Sequence, residues 1–436
     1  MSNRLNPPSE VLRIAEKLEK AGHDTWCVGG AIRDALLGHP HLDWDLATAA
    51  RPAEVRSLFP RTVPVGIEFG TIGVLDDNGV MHEVTTYRRD VRTDGRHAVV
   101  EFGATLDEDL ARRDFTINAV AYSPRTRDLY DPFDGRQDLE RRVVRAVGDP
   151  SERMREDRLR ALRAIRFASR FDFTIEPSTW QAILDSAPHL TRLSAERVKQ
   201  EIEKTMDQVE FPSRAFRLWQ DSGALAQLIP SVAQITPIQL AALDHLRIPG
   251  LRGRPQRRIA RLIGLFAAGP AVGVRDVLRS LRFSNADAAW ISSVIISWRA
   301  LEREMKSALL VGPPPDAALR RWAAATGRTR LAPVLRLAGA QWWAELAAGL
   351  DAPSYSQVAS VYRRAVRSAY RDPIELGDLA VSGRDLEKLG MSGPEVGRTL
   401  RNLLETVIND PAANTPQRLI EQARAVKNAR PREQEG

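Results

Sequence analysis

One short segment, residues 27–48, constrains the fold and the chemistry of this chain more than any other. Its sequence, CVGGAIRDALLGHPHLDWDLAT, predicts a buried strand that ends at Gly29 and Gly30, then a helical turn, then a strand that carries Asp43 and Asp45. Because side chains alternate along a strand, these two carboxylates share one face. Two carboxylates that face one way repel each other unless a cation lies between them. The segment therefore predicts a Mg²⁺ site, because Mg²⁺ prefers one or two carboxylates together with substrate phosphates.

The same segment has groups that bind a phosphate. Gly29 and Gly30 let the backbone approach an anion closely, and Arg33 lies near enough in sequence to reach the same anion. We interpret the segment as a metal-dependent nucleotidyl-transfer site, with Asp43 and Asp45 as its catalytic and metal-binding residues. Taken alone, the acidic pair could also be a solvated turn, because Asp-x-Asp is a common pattern.

Composition favours a polyanionic partner and a reducing compartment. The 63 Lys and Arg residues exceed the 56 Asp and Glu residues and give a net charge of +7, which favours nucleic acid without requiring it. Cys27 is the single cysteine and excludes an internal disulfide, so we expect a cytoplasmic protein. No apolar run reaches the length of a membrane span, so no membrane partner is expected.

The hydrophobic pattern changes near residue 149. Before that point short helices alternate with strands, and after it the period is helical almost throughout. The fold class is therefore α+β, with a small mixed head on a long helical body. Strands are predicted at 25–29, 43–47, 71–75, 82–88 and 118–122. The predicted domains are a head (1–149), a helical neck (150–212), a helical body (213–350) and a helical tail with a disordered C-terminus (351–436).

A third acidic residue strengthens the predicted metal site. Glu83, in MHEVTTYR, lies in the middle of a strand between apolar or β-branched residues, where a carboxylate needs a partner. Two-metal phosphoryl transfer uses such a group, so Glu83 is a candidate catalytic residue. The competing interpretation is a salt bridge between Glu83 and Arg88 or another nearby arginine.

The segment LARRDFTINA, residues 110–119, supplies candidate nucleotide ligands. Arg113 has the charge to hold a triphosphate, and Asp114 and Asn118 have the groups to bind ribose hydroxyls. On the alternative interpretation, Asp114 starts a helix while Arg112 and Arg113 stay solvated.

Residues 151–171 are predicted to form one long arginine-rich helix. Asp157, Arg160, Arg163 and Arg166 are spaced three residues apart along it, in a stripe that drifts by roughly 60° per step. A charged stripe usually faces solvent, but the apolar ridge beside this one indicates that part of it faces a cleft.

Together these motifs resemble a known family. GGAIRD, DWD, EVTTYR, RRDFTINA, DPFDGRQDLERRVVRAVGDP and EDRLRALRAIRF, in this order, are similar to the bacterial class II tRNA nucleotidyltransferases. These are the CCA-adding enzymes, which share a family with bacterial poly(A) polymerases. The resemblance covers residues 27–205, and residues 374–408 more weakly resemble the tRNA-binding tail of the family. It implies a polymerase-beta-like nucleotidyltransferase head followed by a neck that selects the nucleobase.

The resemblance also implies roles for individual residues. Asp43 and Asp45 would bind two Mg²⁺ ions, and Glu83 occupies the position of the third carboxylate. The implied nucleotide-binding residues are Gly30, Arg33 and Arg113 at the triphosphate, Asp114 and Asn118 at the ribose, Asp157 and Arg160 at the base, and Arg163 and Arg166 along the same cleft.

The chemistry of Asp157 and Arg160 explains base selection without a template. A carboxylate accepts a hydrogen bond from the exocyclic amine of cytosine or adenine, and a guanidinium donates to the adjacent ring nitrogen. Uracil and guanine place a carbonyl where that amine would be, and a good bidentate contact discriminates by ~1–3 kcal/mol. We therefore expect CTP and ATP as substrates and the 3′-hydroxyl of a tRNA as the nucleophile.

The resemblance leaves the product open among CCA addition, A-only addition and poly(A) synthesis. Residues 89–103 resemble the flexible loop of CCA-adding members, which disfavours CC-only addition, and the tRNA-like tail favours CCA addition. An RNA-binding protein without catalytic activity is the alternative from another class, and Asp43, Asp45 and Arg113 count against it. The sequence lacks a P-loop motif, and its histidines form no zinc-ligand cluster with Cys27.

Overall fold

The computed structural model describes residues 5–39, 44–93, 98–246 and 256–428. Its strands are β1 (Thr25–Val28), β2 (Asp45–Thr48), β3 (Thr62–Gly66), β4 (Thr71–Leu75), β5 (Met81–Thr86), β6 (Arg88–Thr93), β7 (Ala98–Phe102), β8 (Ala121–Tyr122), β9 (Leu129–Tyr130), β10 (Val143–Val144) and β11 (Thr174–Ile175). Its helices are α1 (Ser9–Lys20), α2 (Gly30–Leu36), α3 (Pro52–Leu58), α4 (Leu106–Ala111), α5 (Gly135–Arg141), α6 (Pro150–Glu156), α7 (Leu159–Phe171), α8 (Pro177–Ser186), α9 (Ala195–Gln208), α10 (Pro212–Asp221), α11 (Ala224–Leu228), α12 (Pro237–His245), α13 (Gln256–Ala267), α14 (Val274–Ser280), α15 (Asn285–Val311), α16 (Asp316–Thr326), α17 (Leu331–Ala347), α18 (Tyr355–Arg371), α19 (Gly383–Lys388), α20 (Pro394–Asn409) and α21 (Pro416–Asn428).

The chain divides into two compact units, Met1–Ala233 and Gln234–Gly436. The described strands and helices α1 to α11 belong to the first unit, and helices α12 to α21 belong to the second. The α+β fold class predicted from the hydrophobic pattern is thereby confirmed. The finer division into head, neck, body and tail stays a prediction, and the predicted disordered C-terminus lies outside the described residues from 429 onward.

One mixed sheet organises the first unit. Its strand order is β3-β4-β5-β2-β1-β8-β9, with β2 and β5 parallel and the other neighbours antiparallel. Leu46, Ile72 and Val84 are fully buried on one face of this sheet. Asp45 and Glu83 each come one residue before a member of that row, so their side chains point to the opposite face. The sheet therefore has a buried apolar row on one face and presents Asp45 and Glu83 on the other, beside a second core cluster that includes Val28, Ala47 and Ala121.

Several predicted strands agree closely with the structure. β1 ends one residue short of the predicted 25–29 strand, and β4 has the predicted bounds. β2 covers 45–48, while Asp43 lies outside the described residues. Only the last two residues of the predicted 118–122 strand pair in a sheet, because a 3₁₀ turn, Thr116–Asn118, takes up its beginning.

The predicted single helix over 151–171 is wrong. The structure has two helices there, α6 and α7, separated at Asp157. Asp157 has an extended backbone (φ −146°, ψ 104°), and its Oδ1 accepts a hydrogen bond from the backbone N–H of Leu159 at 3.0 Å. The aspartate therefore satisfies a free amide at the start of α7, as aspartates do at helix N-termini. The break matters for function, since it aims Asp157 separately from the arginines that follow.

The pattern missed the two edge strands β3 and β9, the hairpin β6–β7 and the short pair β10–β11. β3 contains Pro64, which removes a backbone donor and conceals a strand from propensity rules, yet an edge strand tolerates it. Residues 89–103, predicted to be a loop, instead contribute most of β6 and β7, which pair antiparallel in their described parts. The second unit is built from helices throughout its described residues. Among the described residues of the whole chain, no helix is both long and apolar enough to span a membrane.

Candidate active site

A cavity of about 540 Å³ opens on the polar face of the sheet in the first unit. It is lined by Val28, Gly29, Gly30, Arg33, Asp45, Leu46, Thr71, Glu83, Thr85, Arg88, Arg112, Arg113, Asp114, Asn118, Asp157, Arg160, Arg163 and Phe167. Residues more than a hundred positions apart in sequence thus meet at one place. The structure brings together the site residues predicted from the sequence, apart from Arg166 and from Asp43, which is not among the described residues.

Two carboxylates lie side by side at the base of the cavity. Leu46 of β2 pairs with Val84 of β5, so Asp45 and Glu83 occupy adjacent positions just before the paired residues. Asp45 is half-buried and Glu83 is exposed. Carboxylate oxygens are hard donors of the kind that Mg²⁺ prefers. The pair therefore has the chemistry of a divalent-cation site.

Gly29 allows charged groups to approach the turn between β1 and α2. Its φ of +82° lies in the left-handed region, which favours glycine. A Cβ at this position would lie 3.2 Å from Nη1 of Arg113 and 3.5 Å from Oδ2 of Asp45. A larger residue would crowd both groups. The glycine keeps open the space above the turn, where an anion and a cation could lie together.

Arg33 is a buried cation held rigidly in the cavity wall. Its Nε donates to Oδ1 of Asp34 at 2.8 Å, and its Nη1 donates to Oδ1 of Asn118 at 2.5 Å. The guanidinium carbon lies 4.8 Å from the ring centres of both Phe167 and Phe171 on α7. Burial lowers the pKa of Arg33, while the charge of Asp34 opposes that effect. The side chain is preorganised, since three kinds of contact fix its orientation.

Asp109 is a site residue that the sequence interpretation missed. Its carboxylate accepts from Arg112 and from Nη2 of Arg113, each at 3.1 Å, and its side chain is 1% exposed. Burial alone would raise the pKa of Asp109, but the charges of Arg113 and Arg112 outweigh it and lower that pKa. The spacing of three and four residues on a helical segment was an available signal. Arg112 and Arg113 are therefore held by Asp109 rather than left solvated.

The guanidinium of Arg113 also has an N–H group whose hydrogen-bonding capacity is not used. Its Nη1 makes a long contact of 3.5 Å with the carbonyl oxygen of Asn118. Its Nε is buried and has no acceptor within the part of the chain that the structure describes. A buried donor without an acceptor is costly. An incoming anion in the cavity could supply that acceptor.

Asp114 links the sheet domain to helix α7. Its Oδ2 lies 2.6 Å from Nη2 of Arg163, and its Oδ1 accepts from Nδ2 of Asn118 at 2.8 Å. Burial would raise the pKa of Asp114, but Arg163 and Asn118 outweigh burial and lower it to about 2. Asp114 also accepts from the backbone N–H of Phe115, but it does not start a helix, because the 3₁₀ turn that follows has Phe115 at its N-cap and no side-chain cap.

Asp157 and Arg160 both line the cavity, and each is oriented by a different partner. Oδ2 of Asp157 lies 2.6 Å from Nη2 of Arg197, which comes from α9. Nη1 of Arg160 lies 2.6 Å from Oε2 of Glu156, and its Nη2 donates to the carbonyl of Arg112 at 2.9 Å. Nothing local in the sequence reveals the contact between Asp157 and Arg197, because forty residues separate them.

Arg166 does not line the cavity, contrary to the interpretation of the arginine stripe. Its side chain is 4% exposed, and its Nε lies 2.7 Å from Oε2 of Glu201 on α9. The physical reason is the drift of about 60° for each step of three residues along a helix. Two steps beyond Arg160, that drift has turned the side chain away from the cavity and onto α9.

Comparison with known proteins agrees with this geometry. Residues 25–145 match the model of the poly A polymerase head domain, and residues 172–236 match the model described as the probable RNA and SrmB-binding site of polymerase A. Residues 25–145, within the first unit, are therefore a nucleotidyltransferase head of the poly(A) polymerase class, as the sheet of that unit indicates. Members of this polymerase-beta-like class typically use a divalent metal ion.

Similarity to individual proteins extends over nearly the whole chain. The CCA-adding enzyme of Lactobacillus delbrueckii subsp. bulgaricus is 35% identical over 421 residues, which cover 95% of this chain and 96% of that enzyme. The CCA-adding enzyme of Geobacillus kaustophilus is 33% identical over 420 residues, with the same coverage. The crystal structure of the Bacillus stearothermophilus CCA-adding enzyme in complex with CTP has a TM-score of 0.75 at 33% identity and covers 97% of this chain and 98% of its own. The chain belongs to the family of the CCA-adding enzymes, and the resemblance drawn from its motifs is confirmed.

A more distant structure shares the fold. The Thermotoga maritima CCA-adding enzyme complexed with tRNA has a TM-score of 0.65 at 23% identity and covers 97% of each chain. The fold is thus retained at an identity well below that of the Bacillus stearothermophilus enzyme.

Proposed function

We propose that this protein adds C, C and A to the 3′ end of tRNA, using CTP and ATP and releasing pyrophosphate, without a nucleic-acid template. The observation that carries the proposal is the shared cavity of Asp45 and Glu83, Arg33 and Arg113, and a base-reading residue, Asp157. Family membership supports tRNA as the acceptor. The lone, buried Cys27 is consistent with the cytoplasmic location that we propose.

The triphosphate of the nucleotide binds to the arginines. Arg33 is fixed by Asp34 and Asn118, so its guanidinium is already oriented when the nucleotide arrives. Arg113, with its unsatisfied Nε, supplies a second cation at the glycine turn. Charge-assisted hydrogen bonds of this kind are short and strong. Asp114 and Asn118, which lie next to each other in the same wall, are the proposed ribose ligands.

Asp45, together with the predicted ligand Asp43, would hold Mg²⁺, with Glu83 as the additional carboxylate. These residues suit a magnesium ion, because two carboxylates from adjacent strands line one cavity and offer hard oxygen atoms as ligands. When bound, Mg²⁺ supplies charge neutralisation on the phosphates and lowers the pKa of a hydroxyl near it.

The base is selected by Asp157 and Arg160. Arg197 keeps the Asp157 carboxylate in place, and Glu156 does the same for the Arg160 guanidinium. An acceptor and a donor held at fixed positions match the amine and ring nitrogen of cytosine or adenine. Uracil and guanine would place an oxygen against the carboxylate, which leaves buried polar groups unpaired.

In the reaction, the 3′-hydroxyl of the RNA gives up its proton to solvent, its oxygen forms a bond to the α-phosphorus, and the bond from that phosphorus to the bridging oxygen breaks. Pyrophosphate leaves with the electron pair of that bond, and no side chain becomes covalently attached. Arg33 and Arg113 stabilise the charge that builds up on the departing pyrophosphate. The other residues position the two reactants, which is the main demand of phosphoryl transfer.

The test is incorporation of labelled CTP and ATP, with Mg²⁺, into tRNA transcripts that end at successive points of the 3′ tail. We expect two C and one A, followed by arrest. Addition of A alone to CC-ended tRNA would identify an A-adding enzyme, and long adenosine ladders would identify a poly(A) polymerase. Absence of incorporation on every end would favour an RNA-binding protein without catalytic activity.

Two variants make the test specific to the cavity. Asp45→Asn should abolish incorporation while the protein stays folded, because the carboxylate charge is lost from the base of the cavity. Asp77→Asn is the matched control, since its side chain is 92% exposed and outside the cavity. Product formation by Asp45→Asn at the rate of the parent protein would contradict the role of Asp45.

A further inference from the structure

A band of exposed apolar side chains lies beside the cavity, at the edge of the sheet. Val63 and Val65 on β3, Phe69 in the turn before β4, and Met81 at the start of β5 are 38%, 43%, 43% and 45% exposed. We call these four residues the apolar platform. Four partly exposed apolar residues at one edge of a sheet are more than the isolated exposures that are common on protein surfaces.

The strand register puts Val63 and Met81 of the platform on the same face as Glu83. Val63 pairs with Gly73, and Gly73 pairs with Glu83, so the three residues form one row across β3, β4 and β5. Two strand spacings separate Val63 from Glu83, which is about 10 Å. Gly73 itself has no side chain, and this row leads from the carboxylates to the edge of the sheet.

Neighbouring apolar side chains cover Gly73. A Cβ on Gly73 would lie 2.6 Å from Sδ of Met81 and 3.0 Å from Cγ2 of Val65. These two side chains therefore close over the glycine from both sides. The result is a continuous apolar surface, which a larger residue at position 73 would disrupt.

An aromatic ring and a cation lie together at the other side of the platform. Nη1 of Arg88 donates to the carbonyl oxygen of Phe69, and the guanidinium carbon lies 6.0 Å from the centre of the Phe69 ring. Arg88 itself lines the cavity, together with Thr71. Exposed aromatic rings beside arginines bind single-stranded nucleic acid, because bases stack on the ring and phosphates contact the cation.

The other walls of the cavity leave this side for the acceptor strand. The turn at Gly29, the cluster around Arg113 and the start of α7 near Asp157 are the walls that the proposed function assigns to the nucleotide. The attacking 3′-oxygen must nevertheless reach the α-phosphate near Asp45 and Glu83. A strand that arrives there crosses the face on the far side of Glu83, which is the apolar surface over Gly73.

We propose that the apolar platform binds the unpaired 3′ end of the acceptor RNA, with a base of that end stacked on Phe69 and a phosphate beside Arg88. This inference rests on the proposed function and adds to it the surface that receives the second substrate. A second copy of this chain, paired along the β3 edge, is the competing occupant. The charge next to Phe69 favours RNA, because Arg88 is continuous with a cavity that binds polyphosphate.

The experiment compares a hairpin RNA that mimics the acceptor stem with two matched RNAs, in which the last or the next-to-last 3′ nucleotide lacks its base. Equilibrium binding is measured without nucleotide, and steady-state C addition is measured separately. For the parent protein we expect removal of at least one base to weaken RNA binding about tenfold, the size of one lost stacking contact. For Phe69→Ala we expect weak binding of the intact RNA and no further loss when the base is removed.

Val80→Ala is the matched control. Val80 is 54% exposed and lies one residue before Met81, in the turn of the same hairpin, outside the platform. It should bind all three RNAs like the parent. Val65→Ser with Met81→Ser is a second platform variant that should weaken RNA binding while KM for CTP stays within about twofold. Unchanged thermal melting of each variant shows that it is folded.

Three results would overturn the inference. The first is a Phe69→Ala protein that discriminates base-containing from abasic RNA as the parent does. The second is a rise in KM for CTP that matches the loss of RNA binding, since that assigns Phe69 to the nucleotide. The third is a parent protein whose dimer dissociates on Phe69→Ala in size-exclusion chromatography while RNA binding is unchanged, since that assigns the platform to a second copy. Absence of incorporation by the parent refutes the proposed function instead, and the binding measurement without nucleotide tells the two failures apart.

Discussion

Asp114 and Arg163 form an ion pair of 2.6 Å that joins the sheet domain to helix α7 across one wall of the cavity. The carboxylate side chain is 11% exposed and the guanidinium 30% exposed, so neither charge is well solvated. The charge of Asp114 raises the pKa of Arg163, and Arg163 in turn lowers that of Asp114. The pair therefore couples the wall that carries the proposed ribose ligands to the helix that carries Arg160, a proposed base-reading residue.

Removal of one partner should cost more stability than removal of both. Arg163→Met leaves the Asp114 carboxylate buried without its main counter-charge, and we expect a loss of about 3 kcal/mol in the free energy of unfolding of the first unit. Asp114→Asn combined with Arg163→Met should recover part of that loss, because no unpaired charge remains. Urea titrations of the single and double variants measure both values. Strictly additive losses would show that the two side chains do not interact.

The pH dependence of the free energy of unfolding should reflect the lowered pKa of Asp114. Its pKa of about 2 in the folded protein lies below its ordinary value of 3.8, so the native state binds fewer protons than the unfolded state between these values. The stabilisation is therefore complete above about pH 4 and is lost as the pH falls towards 2, and it amounts to about 2 kcal/mol. Asp114→Asn should be less stable than the parent by a similar amount at pH 7 and pH 5, and the difference should narrow below pH 4. A difference that instead grows on acidification would contradict the depressed pKa.

Base selectivity should depend on Asp157 more than RNA binding does. Asp157→Asn replaces an acceptor by a group that can also donate, so it tolerates the carbonyl of uracil or guanine. We expect the preference for CTP over UTP, taken as the ratio of kcat/KM, to fall by about tenfold to a hundredfold. Affinity for tRNA should change by less than about threefold. A parallel loss of activity with all four nucleotides would assign Asp157 to positioning instead.

Arg166 should prove structural. Its ion pair with Glu201 is buried on both sides, with the side chains 4% and 2% exposed. Arg166→Met should lower the free energy of unfolding by about 3 kcal/mol, because it removes the 2.7 Å partner of the buried Glu201 carboxylate and leaves it only Lys204, whose Nζ lies 3.9 Å away. KM for CTP and ATP should stay within about twofold of the parent value, since Arg166 lies outside the cavity lining. A tenfold rise in KM without loss of stability would return Arg166 to the nucleotide site. The double variant Arg166→Met with Glu201→Leu removes both charges and is the control for the change in the free energy of unfolding.

Local patterns in the sequence were sufficient to predict much of the secondary structure of the head. The strand, glycine turn and helix around Gly29 and Arg33, and the strand that begins near Asp45, follow from alternation and from glycine, which act over a few residues. The same local rules predicted Asp45, Glu83, Arg113 and Asp157 as site residues. The structure brings these side chains to one cavity. Motif order alone was enough to indicate the family.

Contacts between distant segments were decided by the tertiary structure alone. Arg170 contacts Asp34 from 136 positions away, Asp157 contacts Arg197, and Arg166 turns to Glu201 instead of the cavity. Periodicity specifies which face of a helix a side chain occupies, but it does not specify what packs against that face. The break at Asp157 was hidden for the same reason, because its helical neighbours outweighed one capping aspartate. Sequence thus determined the residue types and their local order, while packing of α7 against the sheet and against α9 decided which charges meet.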